Sequence, residues 1–190
     1  MKISIILSVT ILIAVTICLY YSDVFGQFSI LELKSMAVKD ESLIVPGVGG
    51  AGILIDAPEN ELVLLKGKPT KITQTVSHDF FSSVIKIKSA ISLPFNYLYV
   101  YNNPLRIIGL LHNKVSFIVL VDYSGVLIDG TSIAKGVMAI LFYYGNEGMQ
   151  CIREVWGSIY LYSSRGVAFV DENNDDSVDG IIIFKSALHQ

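Results

Sequence analysis

The chain has 190 residues, enough for one domain or two small ones. Apolar types make up 52% and charged residues only 16%, so there is ample material for a core and long-range disorder is excluded. A formal charge of −3, from 14 Lys+Arg against 17 Asp+Glu, gives no basic surface for a phosphate backbone and argues against a nucleic-acid partner.

From Ile3 to Tyr21 there are nineteen residues without a charge, preceded by Lys2 and followed by Asp23. As a helix this stretch would be roughly 28 Å long, close to the ~30 Å hydrocarbon thickness of a bilayer. The sequence therefore predicts an N-terminal hydrophobic helix that anchors the chain through residues 3–21. Val24-Phe25-Gly26 before Gln27 places small residues where a signal peptidase reads them, so a signal peptide cut after Gly26 is the alternative. Either way the remainder is exported. With the basic flank at the amino end, an anchored chain keeps its N-terminus in the cytoplasm and residues 28–190 outside, at the cell surface; a cut chain is secreted. The expected organisation is thus 1–27 as signal or signal anchor and 28–190 as one extracytoplasmic domain. Cys18 falls in the apolar stretch and Cys151 far from it, which leaves no disulfide framework.

Beyond residue 27, short β-branched and aromatic runs alternate with Gly, Pro, Asn and Asp. Strands are predicted at Phe28–Leu33, Ser42–Val45, Gly52–Ile55, Leu62–Leu65, Lys71–Ser77, Asn96–Tyr101, Leu105–Leu111, Val115–Tyr123, Gly125–Ile128, Val137–Tyr144, Ser158–Tyr162, Val167–Val170 and Ile181–Phe184. Val115–Val121 and Val137–Tyr144 are almost continuously apolar and read as central strands buried on both faces. So many strands predict an all-β fold, a two-sheet β-sandwich of immunoglobulin-like or jelly-roll-like type. Two segments also fit helical spacing. Phe80, Phe81, Val84, Ile85 and Ile91 follow Ser77 as cap, and Ile133, Val137, Ile140, Leu141 and Tyr144 end at Gly145; in the second, β-branched and aromatic content favours strand. Gly52-Ile-Leu-Ile-Asp56 is echoed by Gly125-Val-Leu-Ile-Asp129, too short to indicate duplication.

One segment carries specific chemistry. Residues 171–180 read Asp-Glu-Asn-Asn-Asp-Asp-Ser-Val-Asp-Gly between two apolar runs, and five of the 17 acids fall here. Oxygen-bearing side chains at Asp171, Asn173, Asp175 and Asp179, with a backbone carbonyl at Ser177, let a tight loop wrap one hard cation at ~2.3–2.6 Å. A structural calcium ion is the expected cofactor.

The loop resembles two calcium-binding classes. Its first half is similar to the loop of EF-hands and dockerins, but their bidentate acid at the twelfth position corresponds here to Ile182, followed by an apolar β run. It resembles more closely the β-hairpin calcium loop of integrin-type FG-GAP repeats, Asp-x-Asp/Asn-x-Asp-Gly-x-x-Asp, in which Asp179 fills the late ligand position. Asp176 stands where that family has Gly. The resemblance covers about nine residues and implies a local ion site within a hairpin.

Other patterns carry less. Gly47-Val-Gly49-Gly-Ala-Gly52 has dinucleotide-fingerprint spacing but Pro58 interrupts the required helix, so it reads as a flexible turn. His78 and His112 lack a second ligand at metal spacing, and no nucleophile motif is present. Tyr97, Tyr99 and Tyr101 share one strand face that Tyr160 and Tyr162 could extend; cross-strand packing is favoured over a sugar-stacking platform. Cys151, Trp156 and Met149 read as core or near-core residues. The function that follows is a non-enzymatic extracytoplasmic structural or binding module, membrane-tethered or secreted, with a calcium-stabilised C-terminal hairpin and scope for self-association or a surface ligand. The alternatives are a pilin-like subunit of a cell-surface filament and a secreted hydrolase with a dispersed site.

Overall fold

The structure, a computed structural model, describes residues 28–73 and 93–186. The apolar stretch 3–21, the cleavage site after Gly26 and the helical alternative at 78–91 lie outside the described residues. Within them the chain is mostly β, with two sheets and few helices. Among the described residues no helix is long and apolar enough to cross a membrane.

The first element corrects the expected strand at Phe28–Leu33, for the chain there is a helix, α1, Ile30–Lys39. Ser29 and Glu32 form a capping box: the Ser29 hydroxyl oxygen accepts from the Glu32 N–H at 3.3 Å, and the Ser29 N–H donates to the Glu32 carboxylate at 2.7 Å. Leu33 and Ala37, one turn apart, are its buried residues. Leu62–Leu65 is likewise helical, within α2, Glu59–Lys66. Pro58 before it, Glu59 and Glu61 in its first turn and Lys66 in its last suit the helix dipole, and only Leu62 is buried.

Four short strands, β1 (Leu43–Val45), β2 (Gly49–Gly50), β3 (Ile53–Leu54) and β8 (Val126–Leu127), form a small sheet in the order β3-β2-β1-β8. The glycine-rich segment is therefore not a loose turn, since Gly49 and Gly50 are buried and paired on both sides. The two halves of the Gly-x-Leu-Ile-Asp echo supply the sheet's two edges.

The large sheet is antiparallel throughout. One half is the meander β4 (Lys71–Thr73), β5 (Tyr97–Tyr101), β6 (Arg106–Leu111) and β7 (Lys114–Val121); the other is β9 (Met149–Glu154), β10 (Gly157–Tyr162), β11 (Val167–Glu172) and β12 (Gly180–Phe184). They join where β12 pairs with β7, from Gly180 opposite Val121 to Phe184 opposite Phe117. The central strands bury both faces. Ile118, Leu120, Ile181 and Ile183 belong to one core, Phe117, Val119, Ile182 and Phe184 to another. The expectation of a doubly buried Val115–Val121 holds. The small sheet packs on the first of these cores through β2: a Cβ on Gly50 would lie 2.6 Å from Ile183 Cδ1, so only glycine permits this approach.

Val137–Tyr144, expected as a second central strand, is instead a helix, α3, bracketed by Gly136 and Gly145. Val137, Ile140 and Tyr144 turn inward. The centre of the sheet is filled by β7 and β12 instead, and its far edge by β9, a strand the sequence reading does not include. Cys151 on β9 is exposed rather than part of the core, while Met149 and Trp156 are half-buried.

The tyrosine stripe is a packing device. Tyr99 and Tyr101 are buried, and the Tyr97 and Tyr99 hydroxyls both donate to the Glu59 carboxylate at the start of α2. Burial first, then the hydrogen bond to Glu59 and last its charge push the Tyr97 phenol up to about 12. Tyr160 and Tyr162 do not extend the stripe, because four strands separate β10 from β5.

Candidate metal centre

The acidic loop connects β11 to β12, and ladder geometry fixes both of its ends. Val170 pairs with Gly180, and the Asp179 N–H donates to the Val170 carbonyl at 2.9 Å, which sets Asp179 beside Asp171, itself still paired with Ser158 of β10. Between them the chain folds back on Asp171, whose two carboxylate oxygens accept from the backbone N–H groups of Asp175 (3.1 Å) and Asp176 (3.3 Å). Asp175 accepts in turn from the Ser177 N–H at 2.9 Å and hydroxyl at 2.5 Å. That hydroxyl also lies 3.2 Å from Asp179, whose second oxygen accepts from the Glu172 N–H at 2.6 Å.

These bonds bring one carboxylate oxygen each from Asp171, Asp175 and Asp179 within 4.8 Å of one another. Two oxygens bound to the same calcium at ~2.3–2.6 Å can be no more than about 5 Å apart, so the three fit a single ion of that size. Ser177 lies between two of the carboxylates. Asn173 joins the loop through its backbone, with φ of 75° and its N–H donated to the Trp156 carbonyl at 2.7 Å. Among the described residues this is the group of acids, histidines or cysteines arranged to hold a metal.

The electrostatics are uneven. Asp171 is only 3% exposed, and burial pushes its carboxyl above the usual range; the two backbone N–H donors oppose this, and the charges of Asp175 and Asp179 add to it. Asp175 is lowered, first by the Ser177 hydroxyl and then by the Ser177 N–H. A raised pKa in the folded state means that Asp171 favours folding while protonated and loses that contribution as pH rises through its folded value. Without divalent ions, the stability of the wild type relative to Asp171→Asn should therefore fall as pH rises from the unfolded carboxyl value of about 3.9 through the raised folded value. Calcium should reverse the ranking at neutral pH. Thermal melts of both proteins across that range, with and without chelator, check both signs.

Asp176 explains the departure from glycine at its position. Its backbone is left-handed, with φ of 72°, the conformation for which glycine is usual. Its carboxylate caps a helix distant in sequence: Oδ1 accepts from the Met138 N–H at 2.7 Å, and its carbonyl accepts from the Val137 N–H at 3.0 Å. Two otherwise unpaired donors at the start of α3 are thereby satisfied. Gly136 makes the contact possible, since a Cβ there would lie 2.4 Å from the Asp176 carbonyl oxygen. The acidic loop, the 133–136 turn and Asp122–Ser124 enclose an open cleft of about 420 Å³ beside Asp175. Sequence reasoning missed this link because nothing local to residue 136 or 176 announces a partner so far along the chain.

No family model matches the chain, and no curated protein matches it. Solved structures similar to it include an extracellular protein containing a SCP domain from Bacillus anthracis, with 11% identity and a TM-score of 0.44 over 72% of this chain and 46% of that one. A DUF4309 family protein from Bacillus subtilis is similar over 83% of this chain and 95% of that one, with 13% identity and a TM-score of 0.44. A cysteine-rich secretory protein from Staphylococcus aureus gives 9% identity and a TM-score of 0.41 over 78% and 51%. The chain spans about half the length of the first and third of these.

Proposed function

We propose that the chain is an exported, non-enzymatic structural or binding module built as a β-sandwich, with a calcium ion stiffening its β11–β12 hairpin. Asp171, Asp175 and Asp179 supply carboxylate oxygens, and Asn173 and the Ser177 carbonyl complete the shell. The observation that carries this reading is the convergence of the three carboxylates on a volume the size of one ion, at the end of two strands pinned in register. An all-oxygen set on a short loop suits calcium, and extracellular modules bind it at about 10⁻⁴–10⁻³ M, which an exported domain would meet. The sandwich is supported by the packing of β2 against Ile183 and Leu120 across a shared core.

Export rests on the uncharged run Ile3–Tyr21. Cell fractionation with amino-terminal sequencing tests it. An intact chain in the membrane fraction, or a secreted chain beginning at Gln27, is the expected result. Full-length material in the soluble intracellular fraction would overturn it.

A further inference from the structure

The large sheet ends in β4 on one side and β9 on the other. An edge strand presents unpaired backbone N–H and C=O groups, and short length or charge ordinarily keeps other chains from pairing with it. β4 is three residues long and begins with Lys71. The end strands of the small sheet, β3 and β8, have two residues each. β9 is longer. Its six residues, Met149–Glu154, pair with β10 on one side, from Met149 opposite Tyr162 to Glu154 opposite Gly157, and no strand among the described residues pairs on the other. Gln150, Cys151 and Arg153 are exposed, and Val155, the first residue beyond the strand, is fully exposed. With Val155 included, this open edge is about 24 Å long.

The order of residues along the edge selects its partner. A second copy of β9 would lie antiparallel across a two-fold axis perpendicular to the sheet, which keeps the two faces of the sheet continuous and opposes only residues of the same face. Cys151 and Arg153 share the face of Tyr160 and Ser158, whereas Ile152 lies on the face of Ile159. Three registers centre the two strands on each other. Centring on Arg153 opposes one guanidinium to the other, a repulsive pair. Centring on Cys151 sets Arg153 against Met149 and Ile152 against Gln150, polar against apolar. Centring on Ile152 does neither. Ile152 then meets its own copy, Arg153 meets Cys151, Gln150 meets Glu154, and the end that carries Val155 meets Met149. Arg153, the charge that would guard this edge, is thereby set opposite a thiol and not opposite its own copy.

We propose that β9 is an interaction edge for a second copy of this chain, paired antiparallel in the register centred on Ile152, so that two eight-stranded sheets run on as one. The inference requires neither the ion nor the export of the proposed function. The second strand supplies donors and acceptors to the outer backbone groups of β9 and covers Val155. One short edge from each copy falls short of the ~1,200 Å² of stable complexes, so the dimer is weak and reversible.

The test changes the charge at Cys151, whose exposed side chain can be replaced without disturbing the core. In the proposed register this position faces Arg153 of the other copy twice per dimer. Cys151→Glu creates two opposite-charge pairs and Cys151→Lys two like-charge pairs, each change shifting the dissociation constant by about 2- to 30-fold. Sedimentation equilibrium of the full chain in density-matched detergent micelles measures that constant, under reducing conditions that exclude a disulfide. Circular dichroism verifies the β-rich fold of each variant, and Cys151→Asp and Cys151→Arg repeat the two charges should either fail to fold. The expected result is a reversible monomer–dimer equilibrium for the wild type, tighter for Cys151→Glu and weaker for Cys151→Lys, with hydrogen exchange of the 149–155 amides slowed as the dimer forms. A wild type that stays monomeric up to about 1 mM overturns the inference. Equal association of all three proteins also overturns it, by placing the contact elsewhere, residues 3–21 included. Weakening by both variants would set Cys151 opposite its own copy and overturn the proposed pairing.

Discussion

Calcium added to the chelated protein raises its melting temperature by about 5–11 °C at a hundredfold excess over the dissociation constant. Mass action at that excess stabilises the folded state by about 2.7 kcal/mol, and a domain of this size shifts by roughly 2–4 °C per kcal/mol. The metal-free loop holds a buried carboxylate, Asp171, whose neighbours Asp175 and Asp179 are also acids. An ion turns these like charges into ligands of a common centre. Asp175→Ala combined with Asp179→Ala removes two of the three carboxylates, so the double variant should melt at the same temperature with and without chelator. Differential scanning calorimetry of the four samples decides the matter, and equal melting of the wild type in both conditions would count against the ion.

A second large effect is expected from a residue that touches no ligand. Gly136 has φ of 84° and ψ of 175°, a region essentially reserved for glycine, and its Cα faces the Asp176 carbonyl. Gly136→Ala combines backbone strain with a clash against main chain, which no rotamer can relieve. Together these should cost about 2–6 kcal/mol, or roughly 5–20 °C in melting temperature. The clash must separate α3 from the acidic loop, so calcium binding should weaken as well. Gly145→Ala is the control: φ is 81°, but nothing lies within 4 Å of an added Cβ. It should carry the strain alone and leave calcium affinity unchanged. Equal calcium affinity in both variants would show that the loop keeps its shape without its contact to α3.

The hairpins of the large sheet were legible in the sequence because their strands are apolar on both faces and bounded by turn residues. Leu105–Leu111, Val115–Tyr123, Val167–Val170 and Ile181–Phe184 lie within one or two residues of β6, β7, β11 and β12 at most ends. Two helices were read as strands, and α3, which also fits the helical spacing that ends at Gly145, was ranked as strand, each for a different reason. At α1 the signal was present, since Ser29-Ile-Leu-Glu32 is a capping box ahead of residues at helical spacing. At α2, Pro58, two early acids, a late lysine and Gly67 mark a helix that the short apolar run Leu62–Leu65 concealed. At α3, β-branched and aromatic content pointed to strand, and the helix is secured by contacts distant in sequence, from Asp176 and Arg165. Strand β9 escaped notice because it is an edge strand with Gln150, Cys151 and Arg153 exposed, so its alternation is weak.

The site was legible in part. Oxygen-bearing residues at alternate positions 171–179 between two apolar runs brought Asp171, Asp175 and Asp179 into view, because a hairpin forces such residues onto one loop. The docking of Asp176 on α3 was not visible, since it joins segments 38 residues apart. That contact accounts for an acid where the resembling calcium loops carry glycine.

The most direct measurement is an amide NMR titration of the full chain, chelated, in detergent micelles, with calcium added stepwise. Saturable shifts concentrated at residues 171–180 are expected, with a dissociation constant of about 10⁻⁴–10⁻³ M, and they should be lost in the Asp175→Ala, Asp179→Ala double variant. Amides in that loop that stay still, or that move equally in the double variant, would contradict it.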